Sequence, residues 1–402
     1  MTRQAAGFIA GALALYVVGS YSQIGWFFLF DAVLWALVVI SAVAPRWSLA
    51  PLTVTRQVRH RPAIHRNFLS VGPCEGDPVE VRITVANSGR LPRYLIRVRE
   101  ESPLDDPAQG PRRFFVAVIP ARGEVTLGYT ANCYKRGHYT EAAAVLETGA
   151  PFGVFNARRQ FSLPLPLTVY PAFYPLEALP ETGQGTGNGT GLQVTAPTHE
   201  PYGSREHQWG EPLRYVHWRN TARRGQFMVR QFEQPEQVAL RVALAARQAW
   251  GQGKETTLEY GVKIGASLVM KGAEVGESVT LLLGPDARPQ ASWREAMDEL
   301  AGLEPTGAAA MDALEGRGAP IGVVVVPARE PEHLPGMLRL AQLQQRLVVV
   351  LLEGFASGEE PERFAAALRA SNVTVVRCAR GHLREAVEAL GHPSLYESHQ
   401  RG

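Results

Sequence analysis

The amino-acid sequence predicts a multidomain protein with an N-terminal transmembrane helical hairpin, an antiparallel β-sandwich and a C-terminal α/β domain built on a parallel sheet. Three observations predict this order: two apolar runs near the N-terminus, then strands of alternating polarity, and after Pro235 short Val- and Leu-rich runs separated by helical patterns. The predicted boundaries are 1–46 for the hairpin, 50–172 for an immunoglobulin-like sandwich, 173–234 for a linker with a polar signature segment, and 235–395 for the α/β domain.

The two apolar runs, 5–19 and 24–44, make the first region a candidate membrane anchor. A helix needs about 20 apolar residues to cross the hydrocarbon core, so the first run spans only if it includes part of the polar turn 20–23. Arg3 precedes the hairpin and Arg46, Arg56, Arg59, Arg61 and Arg66 follow it, whereas the turn has no basic residue. The positive-inside rule then predicts a two-span protein of the inner membrane with its soluble part in the cytoplasm. A secretory signal peptide over residues 3–19 is the alternative.

The predicted sandwich strands alternate apolar and polar residues, which buries one face of each strand and leaves the other in water. Residues 79–85 have this period and end at the turn 87–89. Runs with the same period follow, separated by Pro and Gly residues, at 94–99, 113–119 and 124–130. The glycine-rich run at 181–191 predicts a flexible loop after the sandwich.

Five short apolar runs predict the strands of the parallel sheet, at 238–244, 279–283, 321–326, 347–352 and 373–377. The patterns between and after them predict helices near 258–271, 293–303, 334–346, 361–370 and 383–390. Two stretches, 323–326 and 347–352, are continuously apolar, as expected for strands that helices cover on both faces.

Composition constrains the function only weakly. The net charge of +3 gives no argument for nucleic acid or for an acidic substrate. Three widely separated cysteines, Cys74, Cys133 and Cys378, fit neither a disulfide framework nor a metal site with paired ligands. A reducing compartment is the simpler interpretation of this cysteine usage.

A dense polar segment at 205–225 is the most distinctive feature of the chain. It reads Arg-Glu-His-Gln-Trp-Gly-Glu-Pro-Leu-Arg-Tyr-Val-His-Trp-Arg-Asn-Thr-Ala-Arg-Arg-Gly and resembles the signature of the DUF58 family of bacterial proteins. The residues at the family's positions are Arg205, Glu206, Gly210, Arg214, His217, Trp218, Ala222, Arg223 and Gly225. His207 stands where the family usually has Tyr, and Glu211 stands where it usually has Asp.

The resemblance extends to two segments of the predicted sandwich. Residues 135–139 (Lys-Arg-Gly-His-Tyr) and 151–155 (Pro-Phe-Gly-Val-Phe) look like a pair of motifs in the family's β region, with Ala150 where Asp is usual. The resemblance implies that the C-terminal domain is similar to a von Willebrand factor A module, a Rossmann-type sheet. It also implies a partner, a MoxR-type AAA+ ATPase, because the family is commonly encoded near such ATPases; it implies no reaction.

The residues after the first predicted strand of the α/β domain argue against a metal or phosphate site. A metal-binding von Willebrand A domain carries Asp-x-Ser-x-Ser there, whereas residues 242–248 read Val-Ala-Leu-Ala-Ala-Arg-Gln. Residues 251–256 (Gly-Gln-Gly-Lys-Glu-Thr) resemble a phosphate loop, but Gln248 and Glu255 occupy places that need Gly and Ser or Thr. We therefore expect a polar loop here and neither a metal nor a cofactor.

The signature segment admits three interpretations. Its glutamates can pair with its arginines, and its tryptophans can stack on guanidinium groups, which would dock the segment between the two soluble domains. Exposed arginines would instead recognise a protein partner or lipid headgroups, and the interspersed acids disfavour nucleic acid. The enzymatic alternative is a group of Glu206, His207 and His217, although its spacing matches no His-Glu-x-x-His helix.

The leading functional hypothesis is a membrane-anchored, non-enzymatic scaffold that presents cytoplasmic protein-binding domains to a MoxR-type AAA+ ATPase. Its expected contacts are that partner and membrane lipid, with no small-molecule substrate. The alternative is a membrane-associated hydrolase that uses Glu206, His207 and His217.

Overall fold

The computed structural model describes residues 3–60, 72–180, 201–206, 228–232, 240–245, 247–283, 290–305, 321–342 and 346–392. It opens with two helices, α1 (Arg3–Ser22) and α2 (Gly25–Leu49), both long and apolar enough to cross a membrane. Helix α1 continues to Ser22, so it takes in the polar residues that a full span requires. Tyr16 and Phe28 meet edge to face between the two helices, with ring centroids 6.1 Å apart. This pair of helices is consistent with a membrane anchor.

Seven strands form the next region and confirm the antiparallel sheets that the sequence predicts. They are β1 (Leu52–His60), β2 (Pro78–Asn87), β3 (Arg93–Glu101), β4 (Arg112–Ile119), β5 (Glu124–Asn132), β6 (Gly137–Thr148) and β7 (Ala157–Val169). One sheet has the order β1-β2-β5 and the other the order β4-β3-β6-β7. A single apolar core lies between them, and Ile83, Ile96 and Leu146 are fully buried in it. The two sheets therefore form a sandwich.

The sandwich has two ends with different neighbours. At the helix-side end, formed by the loops 88–92, 120–123 and 149–156, Arg159 donates from Nη1 to the carbonyl of Ala50 at 2.8 Å and to that of Leu49 at 3.2 Å. This contact joins the end of α2 to β7. At the opposite, domain-side end, the loops 72–77 and 133–136 meet the α/β domain. The sandwich thus lies between the two N-terminal helices and the α/β domain.

Two short strands precede the α/β domain, β8 (Pro201–Glu206) and β9 (Met228–Phe232), and they pair antiparallel. The five parallel strands are β10 (Leu240–Leu244), β13 (Val279–Leu282), β14 (Ile321–Pro327), β15 (Arg346–Glu353) and β16 (Thr374–Ala379). They form one sheet in the order β13-β10-β14-β15-β16, and a small antiparallel hairpin of β11 (Gly251–Gln252) and β12 (Glu255–Thr256) follows β10 in the chain. All five predicted strands are confirmed.

Helices cover both faces of this sheet. The described helices are α3 (Thr257–Val275), α4 (Trp293–Gly302), α5 (Leu334–Gln342), α6 (Pro361–Ala370) and α7 (Leu383–Leu390). Residues of α3, α4 and α7 share one apolar core with the sheet, and residues of α5 and α6 share the other. The predicted helix 334–346 extends too far, because Arg346 begins β15. The segment 170–180 packs on the first core through Leu176, which is 6% exposed.

Candidate functional site

The structure describes only the edges of the signature segment. Arg205 and Glu206 end β8, where they pair in register with Val229 and Met228 of β9. The other seven motif residues lie outside the described residues: Gly210, Arg214, His217, Trp218, Ala222, Arg223 and Gly225. His207, of the proposed hydrolytic group, also lies outside them, so both the docking role and the catalytic role of this segment stay predictions.

A buried arginine joins the two soluble domains. The side chain of Arg136, in one of the sandwich segments that carries the family resemblance, is only 3% exposed. Its Nε donates to the carbonyl of Leu300 at 2.9 Å and its Nη2 to that of Leu303 at 2.7 Å, while Nη1 pairs with the carboxylate of Glu259. Carbonyls at the C-terminal end of a helix lack intrahelical partners, so the guanidinium satisfies the end of α4 as well as a charge on α3.

A second set of charges lies beside this arginine. Glu75, from the domain-side end of the sandwich, accepts from Nζ of Lys263 at 3.0 Å, and Lys254 approaches the same carboxylate at 3.6 Å. Lys254 also lies over the ring of Tyr134, 4.1 Å from its centroid. We call Glu75, Arg136, Lys254, Glu259 and Lys263 the interdomain cluster. Each of its pairs joins a sandwich residue to an α/β residue.

Helix α3 carries a polar stripe that faces the sandwich and the segment 170–180 instead of water. Glu259, Lys263 and Ser267 recur every four residues, so they share one helix face, and all three are buried. Ser267 accepts from the backbone N–H of Tyr174 at 2.9 Å. Sequence reasoning missed this stripe because such spacing usually marks a solvated face. The available signal was the rest of the helix, which is apolar on its other sides and therefore buried all round.

Gly302, at the end of α4, lies close to a side chain of the sandwich. A Cβ added there would lie 2.8 Å from Nε2 of the exposed His138 on β6, so a larger residue would require this imidazole to move. The side chain of Tyr139, next in β6, donates from its hydroxyl to the carbonyl of Lys135 at 2.7 Å. The segment 135–139 is therefore held both to itself and to the α/β domain.

The carboxyl edge of the parallel sheet is the second candidate site. In open α/β sheets ligands bind outside the carboxyl ends of the strands, where the strand order reverses, and here that point lies between β10 and β14. Glu330, just after β14, is 3% exposed and accepts from Nε1 of Trp250 at 3.3 Å. Its other oxygen lies 2.9 Å from Nε2 of His333, which is also buried. Among the described residues, Trp250, Glu330 and His333 therefore bond to one another at this position.

The neighbouring carboxylates at this edge are also engaged. Glu359 accepts from the backbone N–H groups of Phe355 at 3.0 Å and Ala356 at 2.8 Å, and Glu332 pairs with Arg247 at 3.0 Å. Burial, and then a hydrogen bond to Glu255, raise the pKa of Tyr260 to about 12, so its hydroxyl stays protonated and donates. Among the described residues, no three His, Cys, Asp or Glu side chains group to hold a metal ion.

The loop that resembles a phosphate loop forms the small hairpin of β11 and β12, with Gly251 paired to Thr256. Its lysine, Lys254, belongs to the interdomain cluster, where it contacts Glu75 and the ring of Tyr134. The amino group that would hold a phosphate is therefore directed at the sandwich.

The three cysteines form no disulfide, and all are buried. Burial, followed by the charge of Asp77, raises the pKa of Cys133 to about 12, and burial raises that of Cys378 to about 12. A thiol in this state is a poor nucleophile. These side chains act as core residues, Cys133 in the sandwich and Cys378 in the α/β domain.

Solved structures give only distant likenesses. One is an X-ray structure of a Northeast Structural Genomics Consortium target, at 13% identity over 29% of this chain and 88% of that one, with a TM-score of 0.18. Another is a GH20 exo-β-N-acetylglucosaminidase from Vibrio harveyi, at 10% identity over 80% of this chain and 60% of that one, with a TM-score of 0.21. Likenesses at these scores carry no argument about fold or function.

Sequence comparison is more informative for one region. No curated protein sequence matches the chain. The family model described as "Protein of unknown function DUF58" matches residues 203–328, from within β8 to just beyond β14. The matched region contains the whole signature segment, 205–225, and confirms the resemblance drawn from it. The two sandwich motifs, 135–139 and 151–155, lie outside the match. Residues 203–328 of this chain are therefore similar to the DUF58 family, which supports the assignment drawn from the signature segment.

Proposed function

We propose that this protein is a membrane-tethered, non-enzymatic scaffold whose sandwich and α/β domain act as one unit that binds a cytoplasmic partner protein. The interdomain cluster is the observation that carries the proposal. Buried ion pairs demand defined geometry, since a misplaced partner leaves an uncompensated charge away from water. A chain that holds its two soluble domains in one arrangement in this way is suited to presenting a composite surface.

The α/β domain is proposed to be a metal-free, von Willebrand A-like module with a Rossmann-type sheet. The parallel strand order, with helices on both faces, supports this assignment. The carboxylates at the carboxyl edge support the metal-free form, because Glu330, Glu332 and Glu359 already accept hydrogen bonds from protein donors. A module of this kind binds proteins through complementary surface and needs no bridging cation.

The proposed partner is a MoxR-type AAA+ ATPase. This identification rests on the family resemblance, since proteins with this signature are commonly encoded beside such ATPases. The proposed location is the inner membrane, with α1 and α2 as two spans and the soluble domains in the cytoplasm. The arginines that flank the hairpin support this orientation, because basic residues remain on the cytoplasmic side.

Co-purification tests the partner. Full-length protein, extracted in detergent after crosslinking, is expected to bring down a MoxR-type ATPase, and the yield is expected to be the same with and without a chelator. The variant Arg136→Ala is expected to lower the recovery, because the composite surface depends on the interdomain cluster. Arg384→Ala is the matched control, since the side chain of Arg384 is 72% exposed and pairs with Glu388 on its own helix. Recovery of the protein alone from crosslinked membranes would refute the proposal.

Protease accessibility tests the orientation. Protease added outside intact cells is expected to leave the sandwich and the α/β domain whole, whereas protease added to inverted membrane vesicles is expected to digest both. Digestion of the soluble domains from the outside would refute the cytoplasmic placement. Recovery of the intact chain in the soluble fraction would refute the membrane tether itself.

A further inference from the structure

Exposed apolar side chains beyond α2 are concentrated at one place on the sandwich. Seven large hydrophobic residues in the described part of the chain after Leu49 are exposed, and all but Val275 lie towards the helix-side end. We call these six the apolar patch: Leu91, Tyr94, Leu95, Phe115, Val118 and Phe152. Soluble surfaces carry scattered apolar residues, but a cluster of this kind marks a contact surface.

The loops that carry the patch adjoin the end of the membrane-candidate helix α2. Ser88, in the loop that leads to Leu91, donates from its backbone N–H to the carbonyl of Pro51 at 3.1 Å. Arg93, at the start of β3, lies over the ring of Trp47, 4.2 Å from its centroid. Trp47 itself is 55% exposed near the end of α2. The exposed ring of Trp47 and the loops that carry the patch therefore lie at the same end of the sandwich.

The backbone at this end presents side chains outward. Leu95 has a φ of 57°, and around it β3 changes face, so that Tyr94 is exposed while Ile96 is buried. In the loop 149–156, Gly153 has a φ of 73°, and Phe152 before it is 54% exposed while Val154 after it is 2% exposed. The turn is thus anchored in the sandwich and carries a phenyl ring at its surface.

The charges around the patch match a lipid surface. Four exposed arginines flank it in the loops and strands of this end: Arg90, Arg97, Arg122 and Arg158. Two glutamates lie near these arginines. The half-buried Glu147, on β6, lies opposite Arg97, and the exposed Glu124 begins β5, so the four arginines outnumber these two acids. Aromatic rings together with arginines are the combination that favours the headgroup layer, where anionic lipids attract the cations.

We propose that the apolar patch lies in the headgroup region of the same bilayer that holds α1 and α2, so that the sandwich rests on the lipid surface. This inference depends on the membrane tether of the proposed function. Arg93, which precedes Tyr94 of the patch, contacts Trp47 of α2, so the patch lies beside the hairpin. This placement, together with the flanking arginines, favours lipid over a second protein as the occupant.

Site-directed spin labelling of the full-length protein in nanodiscs tests the proposal. Single cysteines are introduced as Phe152→Cys and Leu91→Cys in the patch and as Thr130→Cys at an exposed position of the other sheet. Val33→Cys, exposed on α2, is the reference for lipid. The parent protein gives the background, because its own cysteines are buried. Each nitroxide is compared for collision with oxygen, which concentrates in lipid, and with a nickel chelate, which stays in water.

Labels at 152 and 91 are expected to lose collisions with the nickel chelate and to retain those with oxygen, as the label at 33 does, whereas the label at 130 collides with the chelate. Chelate access at 152 and 91 with lipid-like behaviour at 33 would overturn the proposal and leave the tether intact. Chelate access at 33 as well would overturn the tether. Protection from both reagents together with nitroxide–nitroxide coupling would indicate a second copy of the chain and would also overturn the lipid proposal.

Discussion

The domain-side end of the sandwich meets its neighbour through buried charges, whereas the helix-side end shows exposed apolar side chains beside a membrane-candidate helix. Arg136 and Glu75 are 5% and 9% exposed, and each bonds to defined atoms of the α/β domain. Phe115 and Phe152 are more than half exposed, and their phenyl side chains carry no hydrogen-bonding group. Hydrogen-bonded ion pairs fix an orientation, while apolar contact is non-directional. The domain-side end is therefore suited to holding a fixed geometry, and the helix-side end to contact with a fluid surface.

Among the proposed variants, removal of Arg136 at the domain-side end is expected to lower the free energy of unfolding most. Arg136→Ala removes the guanidinium that pairs with the buried Glu259, which then has the exposed Lys135 at 3.8 Å as its nearby cation. It also removes a donor from the carbonyls of Leu300 and Leu303 at the end of α4, so we expect a loss of about 3–5 kcal/mol in the free energy of unfolding. The measurement is alkylation of Cys133 and Cys378 across a urea gradient, read by mass spectrometry. Because burial raises both thiol pKa values to about 12, each thiol reacts only when its own domain opens.

Two variants control this experiment. The exposed pair of Arg384 should contribute little, so Arg384→Ala is expected to stay within about 0.5 kcal/mol of the parent. The double variant Arg136→Met with Glu259→Met removes both charges, and it is expected to recover much of the loss, since an apolar pair leaves no unpaired ion. An Arg136→Ala protein that unfolds at the same urea concentration as its parent would contradict the role of the cluster.

Lys263→Met should have a smaller effect at the same end. Glu75 keeps Lys254 at 3.6 Å, so part of its charge remains compensated, and we expect a loss of about 2 kcal/mol. The same labelling experiment measures it. Adding Lys254→Met should then deepen the loss beyond the sum of the two single variants, because the carboxylate would have neither lysine. Simple additivity would show that the two lysines act independently.

Arg159→Ala tests the joint between α2 and the sandwich. Its guanidinium donates to three carbonyls, those of Leu49, Ala50 and Leu52, from a partly exposed position, so we expect a loss of about 1–2 kcal/mol. Faster proteolysis at the helix–sandwich junction should report it. The adjacent exposed Arg158 is the matched control, and Arg158→Ala should leave the rate unchanged.

A charge pair inside the sandwich should give a modest pH dependence. Glu100 and Arg56 pair at 3.2 Å with both side chains fully buried, and burial raises the pKa of Glu100 although Tyr129 and Arg56 oppose the shift. The folded state therefore binds this proton more tightly than the unfolded chain does, whose value is near 4.5. Stability should fall as the pH rises from that value through the raised pKa, and level off above it. In the Glu100→Gln variant, the urea midpoint of Cys133 alkylation should no longer fall with rising pH. Glu101→Gln is the control and should keep the pH dependence of the parent.

The smallest expected effect on stability belongs to the apolar patch. Phe152→Ser, in detergent, should change the free energy of unfolding by less than about 0.5 kcal/mol, because the ring is already exposed. Ile96→Ala in the sandwich core should cost about 2–5 kcal/mol by the same measurement. A Phe152→Ser protein as destabilised as the core variant would show that the patch is part of the fold rather than a contact surface.

Sequence periodicity predicted the regular elements well because burial on one face leaves a repeating pattern. The strand predicted at 79–85 is the inner part of β2, and the helices at 361–370 and 383–390 have the predicted bounds. Pairing between distant residues leaves no such pattern. Arg136 and Glu259 are 123 residues apart, and nothing near either one indicates the other.

The patch escaped prediction for a local reason. Strict alternation places Tyr94 on the same face as Ile96 and Val98, so the pattern predicts that Tyr94 is buried with them. The left-handed backbone at Leu95 interrupts the alternation and turns Tyr94 outward. A single irregular residue therefore reverses the inferred face of a side chain, and periodicity does not report where such a residue occurs.

Strand β6 begins next to Arg136 at one end of the sandwich and finishes beside the loop 149–156 at the other. Its 12 residues, at about 3.3 Å each, give a length of about 40 Å. If the helix-side end rests on lipid, this length sets the height at which the α/β domain stands above the headgroups. A partner docked on that domain must then have a soluble reach of similar size, or no membrane anchor of its own.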